Sequence, residues 1–165
     1  MTPADLAIAA AVKRLGRAET GQNRGPIVEE CCKPFCSEKD FISRYVRGEM
    51  FWCAGFVSLC WVEAWPGFAA FADLSCDRLW DKLTAAKMTR LRGGEMPLPG
   101  DIFWLKQKGS RRNLTHVGLV ETTGRMIHTI EGNAPIGIGD TGSVGKHRHA
   151  LDQPTLYGFA TISPR

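Results

Sequence analysis

Residues 53–65, Cys53-Ala54-Gly55-Phe56-Val57-Ser58-Leu59-Cys60-Trp61-Val62-Glu63-Ala64-Trp65, form an apolar run broken only at Ser58 and Glu63. Phe56, Val57, Cys60, Trp61 and Ala64 recur at spacings of three and four, the period of a helix, and a helix apolar on nearly all sides is a buried one. Pro66-Gly67 stops it. Upstream, Ile8, Val12 and Leu15 with Gly16 just beyond predict an amphipathic helix over 4–15. Gly25-Pro26 opens a second helix holding Ile27, Val28, Cys31 and Cys32, since proline is tolerated in a first turn. Downstream, Leu79, Trp80, Leu83 and Ala86 or Lys87 predict a helix over 75–91. The period then changes: 101–106, 115–121, 125–131 and 156–162 are short, rich in branched and aromatic residues, and bounded by turn signals. They read as strands of an antiparallel sheet. Helices first and strands afterwards predict an α+β fold whose N-terminal helices cover one sheet face, in a single domain over 1–165 without repeats or a linker.

The composition is that of a globular chain: 165 residues, 44% hydrophobic and 23% charged, which argues against disorder, and 18 Gly with 9 Pro imply many turns. A net charge of +4 favours polyanions in general. The densest basic cluster, Lys106, Lys108, Arg111 and Arg112, reads as a polar hairpin loop, so no nucleic-acid partner is expected. The first 16 residues lack the features of a secretory signal, and no run reaches the ~18 apolar residues of a membrane span. The expectation is a chain made in the cytoplasm without a signal peptide. Its six cysteines are then expected to be mostly free thiols.

Cys53 stands at the start of the buried helix, where unpaired N–H groups and the positive end of the macrodipole favour a thiolate. One more buried cysteine would look the same, so it needs a partner. His116 opens the strand Thr115-His116-Val117-Gly118-Leu119-Val120-Glu121; a lone histidine is more often structural, and His128, His147 and His149 compete with it. His128 falls within the next strand, near the site, whereas Lys146-His147-Arg148-His149 reads as an exposed loop or edge. Glu131-Gly132-Asn133 ends that next strand, and positions i and i+2 share a side, so Glu131 and Asn133 can both face His116. A thiol–imidazole pair needs such a group to fix its tautomer, although a polar hairpin end would carry the same residues.

Trp52-Cys53-Ala54-Gly55-Phe56-Val57-Ser58, Leu98-Pro99-Gly100-Asp101-Ile102, His116-Val117-Gly118-Leu119-Val120 and Thr129-Ile130-Glu131-Gly132-Asn133 closely resemble, in order and spacing, the motifs of CHAP domains, the cysteine, histidine-dependent amidohydrolases/peptidases. With Glu19-Thr20-Gly21, Asn23-Arg24-Gly25-Pro26 and Gly158-Phe159 the likeness covers about residues 16–160. It implies a papain-like α+β fold and hydrolysis of amide bonds in peptidoglycan, as in phage endolysins and bacterial autolysins. The family's nucleophile falls on Cys53, its base on His116, its acidic member on Glu131 and its assisting amide on Asn133, with Trp52, Asn23 and Trp104 as candidates for binding substrate. No cofactor or metal is implied: Ser37-Glu38-Lys39-Asp40 and Glu49 lack the ligand alternation of the calcium loop some relatives carry. Cys31, Cys32 and Cys36 lie outside the resemblance; free thiols are expected, and a disulfide or zinc site with Cys60 or Cys76 stays open. The expected protein is a monomeric peptidoglycan amidase or endopeptidase that reaches the wall by release or delivery. A silent structural module and a thiol hydrolase of another substrate are the alternatives.

Overall fold

The computed structural model describes residues 1–134 and 142–162. Helix α1 (Pro3–Val12) starts at a capping box: the Thr2 hydroxyl accepts from the Asp5 N–H, and the Asp5 carboxylate accepts from the Thr2 N–H. It ends earlier than predicted and buries Ala7, Ala10 and Ala11, whereas Val12 is exposed. Small side chains on that face let α1 lie close against the buried helix, which a stripe of branched residues would prevent. Pro26 opens α2 (Pro26–Cys32), whose Ile27, Val28, Cys31 and Cys32 are buried. The helix α3 (Glu38–Val46) has no counterpart in the sequence reading; Ser37 accepts from the Asp40 N–H as its cap, and Phe41 is its buried residue.

Helix α4 (Cys53–Ala64) forms on the apolar run and is buried at every residue from Cys53 to Trp61. Helix α5 (Cys76–Ala85) starts at the Ser75 cap, buries Leu79, Trp80 and Leu83, and stops well short of residue 91. The cause is local: Lys87 adopts a left-handed φ of 60°, and Thr89–Leu91 becomes strand β1. Strands β2 (Ile102–Lys106), β3 (Leu114–Thr122), β4 (Met126–Ala134), β5 (Ser143–Ala150) and β6 (Leu156–Ala160) complete a sheet of order β1-β6-β2-β3-β4-β5 with antiparallel neighbours throughout. Lys146-His147-Arg148-His149 is therefore the edge strand β5, not a loop. The fold is α+β and papain-like, and among the described residues no helix is long and apolar enough to cross a membrane.

Both faces of the sheet are apolar. Ile102, Trp104, Val117, Leu119 and Ile130 pack with the helices in the main core, while Phe103, Val120, Ile127, Leu156 and Phe159 form a second cluster on the opposite pleat. At the entry to β2, Gly100 has a left-handed φ of 89°, and a Cβ there would lie 2.4 Å from that of Ala4 in α1. Asp101 follows, 2% exposed, accepting from the Leu98 N–H at 2.9 Å and from the Arg90 guanidinium at 2.5 Å. The Leu-Pro-Gly-Asp stretch thus builds a turn rather than a reacting group.

One buried cation joins three helices. Arg14, 6% exposed just past α1, donates to Glu30 of α2 at 2.9 Å through Nε, to Glu63 of α4 at 3.0 Å through Nη1, and to the Ala10 carbonyl at 2.8 Å. Arg14→Ala is expected to lower the unfolding free energy by about 2–3 kcal/mol. That is less than for a fully buried pair, because the Glu30 and Glu63 side chains keep 33% and 40% of their exposure. Urea unfolding reads it, and an unshifted midpoint would show that the three helices do not depend on this cation.

Candidate active site

Cys53 is the first residue of α4, and Trp52 before it supplies no side-chain cap, so the first N–H groups of the helix have no intrahelical acceptor. The thiol side chain is nearly enclosed, with the residue 4% exposed. His116 lies near the start of β3 and pairs with Leu105, where the β2–β3 register shifts between Leu105 and Lys106. Such irregularities bend a strand and re-aim its side chains. Because Val117 and Leu119 point into the helix-side core, His116 and Gly118 share the opposite pleat with Phe103. Glu131 of β4 stands on that pleat too, and it fits because residue 118 has no side chain: a Cβ there would lie 2.7 Å from Glu131 Cγ. Residue 132 is equally constrained, since a Cβ would meet Phe56 of α4 at 2.6 Å and Trp52 at 2.8 Å. These two glycines bring α4, β3 and β4 close enough for the three side chains to meet.

Glu131, 3% exposed, has both oxygens engaged. Oε2 meets His116 Nε2 at 2.7 Å, which leaves Nδ1 for the thiol of Cys53. Oε1 accepts from the Thr129 hydroxyl at 2.5 Å and meets His149 Nε2 at 2.6 Å, while His149 Nδ1 lies 3.2 Å from the Gln153 amide nitrogen. His149 is the residue the sequence reading missed. The signal was present: His147 and His149 alternate with Lys146 and Arg148, and on a strand this puts both histidines on one side. Only β5's pairing with β4, which sets His149 opposite Ile127, shows which side.

The electrostatics follow from these contacts. A hydrogen bond from Cys76 is the largest effect on Cys53 and holds its thiol well below the ordinary value; burial opposes it, and the hydrogen bond and charge of His116 and the Ala54 N–H add to it. Burial alone would push the His116 imidazole down, but its hydrogen bonds to Cys53 and Glu131, with their charges, raise it to about 10. Burial works against the Glu131 carboxylate, yet the hydrogen bonds of His116 and His149 hold it well below the usual carboxylate range. These contacts together favour a thiolate beside an imidazolium, with an ionised carboxylate behind.

The groove over this pair is lined by Arg44, Phe51, Leu74, Ser75, Leu114 and Asn133, together with Cys53, Cys76 and His116. Its volume, about 340 Å³, is smaller than the roughly 480 Å³ of a cavity beside Arg92, Met96 and Phe159. That larger cavity carries neither a nucleophile nor a histidine, so chemistry rather than size picks the site. Asn133 reaches the groove but departs from simple alternation with Glu131: its φ is 58°, and the β4–β5 register shifts between Glu131 and Ala134. Trp52 and Trp104 are fully buried and do not fit the expected role in binding substrate. The Trp52 indole N–H donates to Glu19 at 3.2 Å, and that of Trp104 donates to the Cys76 carbonyl at 3.1 Å. Asn23 is partly exposed and donates to the Gly48 carbonyl at 2.8 Å. His128 is exposed on the pleat opposite Glu131, in a separate groove with Lys146, His147 and Arg148. Among the described residues no cluster of three His, Cys, Asp or Glu is arranged to hold a metal ion. Cys31, Cys32 and Cys60 are buried free thiols at the packing of α2 on α4.

The sequence model of one family, the CHAP domain, matches residues 45–133. That span runs from the end of α3 into β4 and contains Cys53, His116, Glu131 and Asn133. No curated protein matches the chain in sequence.

At about pH 6, iodoacetamide is expected to alkylate Cys53 at least roughly ten-fold faster than Cys31, Cys32 or Cys60, whose thiols burial pushes up, that of Cys31 to about 12. Glu131→Gln is expected to slow that labelling, because a neutral amide no longer stabilises the imidazolium. Peptide mapping would count against the ion pair if all six cysteines labelled at one rate.

Proposed function

Since the chain belongs to the CHAP domain family, and so to the hydrolases of amidase or peptidase type that act on peptidoglycan, we propose that it cuts an amide bond of the wall peptide with Cys53 as nucleophile. The observation that carries this reading is the meeting of a helix-start cysteine, a strand-edge histidine and a buried carboxylate from three different elements. In this mechanism the Cys53 thiolate attacks the scissile carbonyl, and the oxyanion forms beside the Cys53 backbone N–H at the start of α4. His116 Nδ1 delivers its proton to the leaving amine, and the neutral ring then takes a proton from water as it attacks the acyl-enzyme. Glu131 stays ionised throughout and holds the ring by Nε2 in the orientation that turns Nδ1 toward the sulfur. Asn133, on the groove wall, is proposed as the assisting amide for the substrate.

The groove carries one exposed aromatic. Phe51 is 61% exposed at its rim and offers apolar contact, where sequence alone pointed to the neighbouring Trp52. In this reading the protein is a monomeric wall-lytic enzyme, a phage lysin or a bacterial effector, that works without a cofactor and reaches the wall by release or delivery.

Purified peptidoglycan should lose turbidity with the wild-type protein, and Cys53→Ala should slow clearing by about 10³-fold or more. Equal clearing by the two would end the proposal. Mass spectrometry of the fragments then assigns the bond, between muramoyl-alanine and a bond within the stem or cross-bridge. The pH profile supplies a second check. Attack needs Cys53 ionised and departure of the amine needs His116 protonated, so the rate holds through neutrality and falls as pH rises through about 10. The raised histidine also stabilises the fold, fully below its ordinary 6.5 and not at all above about 10. An alkaline limb centred near the ordinary histidine value would show that no ion pair forms.

A further inference from the structure

Beyond its hydrogen bond to Cys53, Cys76 takes no step in the mechanism above, yet its Sγ lies 3.6 Å from that of Cys53. The two sulfurs belong to the first residues of two helices, α4 and α5, whose starts converge on the groove. Three separate contacts hold Cys76 there. Ser58 of α4 both donates to the Asp73 carbonyl at 3.0 Å and accepts from the Asp73 N–H at 3.1 Å, which fastens the connecting loop to the nucleophile's own helix. Ser75 caps α5, and the Trp104 indole N–H grips the Cys76 carbonyl. The other four cysteines are differently placed: Cys31, Cys32 and Cys60 are buried, and the Cys36 thiol donates to the Cys32 carbonyl at 3.4 Å.

We propose that Cys53 and Cys76 form an oxidative modification site, at which a peroxide converts the pair to an intramolecular disulfide that blocks the nucleophile and that a dithiol reverses. The Cys53 thiolate attacks one oxygen of hydrogen peroxide, the O–O bond breaks, and the departing hydroxide takes up a proton as water, leaving a sulfenic acid. The Cys76 sulfur, releasing its proton, then attacks the Cys53 sulfur. The S–S bond forms, the S–O bond breaks, and hydroxide and proton leave as a second water. Two thiols and one peroxide give one disulfide and two waters. Closure to the ~2.05 Å of an S–S bond asks the sulfurs to approach by about 1.5 Å, a side-chain movement. The hydrogen bond to Cys53, burial and the Cys53 charge raise the Cys76 thiol, so it waits as a thiol while Cys53 meets the oxidant. The disulfide requires only this geometry; its effect on wall cleavage rests on the reading of Cys53 as nucleophile.

The test treats the full-length protein with a few equivalents of hydrogen peroxide, with digestion under non-reducing conditions. Trypsin alone leaves Cys53, Cys60 and Cys76 in one peptide, so cleavage after Glu49 and Glu63 is added to separate Cys76 from the other two. The expected product is a Cys53–Cys76 linkage with the loss of two hydrogens, reversed by dithiothreitol together with wall clearing. In Cys76→Ser, and in Cys76→Ala as a second variant, Cys53 should run on to sulfinic acid. Dithiothreitol should then restore a fraction of each variant's own starting activity roughly ten-fold smaller than in the wild type. Oxidation of wild-type Cys53 to sulfinic acid with Cys76 left free, or a linkage mapped to Cys36 or between molecules, would overturn the inference. A Cys53–Cys76 linkage in a protein whose Cys53→Ala variant still clears peptidoglycan would support the site and refute the catalytic reading.

Discussion

A missing side chain sets the distance on which the groove depends. Strand β4 lies against the first turn of α4 with Gly132 facing Phe56 and Trp52, at a separation that even one methyl group would violate. Backbone packing at that range leaves no freedom in where Cys53 sits relative to the end of the strand. Gly118 does the same within the sheet, making room on β3 for the carboxylate of β4. The side chains that meet there are short or stiff, a cysteine and an imidazole, and cannot reach across a gap. Their positions therefore follow from how closely helix and sheet approach.

The buried carboxylate behind them turns that geometry into chemistry. An ionised Glu131 at 3% exposure is costly unless donors surround it, and Thr129, His116 and His149 supply them from β4, β3 and β5. Two of these donors come from strands flanked by core residues: Val117 and Leu119 around His116, Ile127 and Ile130 around Thr129. The main core on one pleat, and the polar network beside the smaller apolar cluster on the other, are two outcomes of one alternation. The edge strand β5 is thus more than a border, since without His149 one oxygen of the carboxylate would lose a partner.

What could be read from the sequence, and what could not, divides along the same lines. A cysteine opening an apolar helix run and an acidic residue ending a strand are local patterns, so the elements carrying Cys53, His116 and Glu131 could be inferred, as could the α+β order. Helix α3 escaped although Phe41 and Tyr45 stand four apart and stack, because it is short, buries only Phe41 and leaves Ile42 and Val46 exposed. The end of α5 was overrun because Lys87 takes a left-handed conformation that lysine composition does not advertise. His149 and Cys76 owe their neighbours to strand pairing and to the Ser58–Asp73 tie, contacts made over 15 or more residues of separation that no local spacing encodes. Trp52 and Trp104 show the converse error. An aromatic beside a nucleophile suggests a binding surface, but burial and the bonds of their indole nitrogens make them braces.

The guanidinium of Arg14 bears on where the protein can be cut. The span shared with the CHAP family begins at residue 45, yet the helix that carries the nucleophile leans on Ala7, Ala10 and Ala11 of α1 and on α2, and its Glu63 is neutralised from outside that span. A chain trimmed to the family boundary would expose one flank of α4 to water and leave the carboxylate of Glu63 without Arg14. The span matched by the family model is thus smaller than the region that holds it upright, and the helices ahead of it act as a buttress for the helix that carries Cys53.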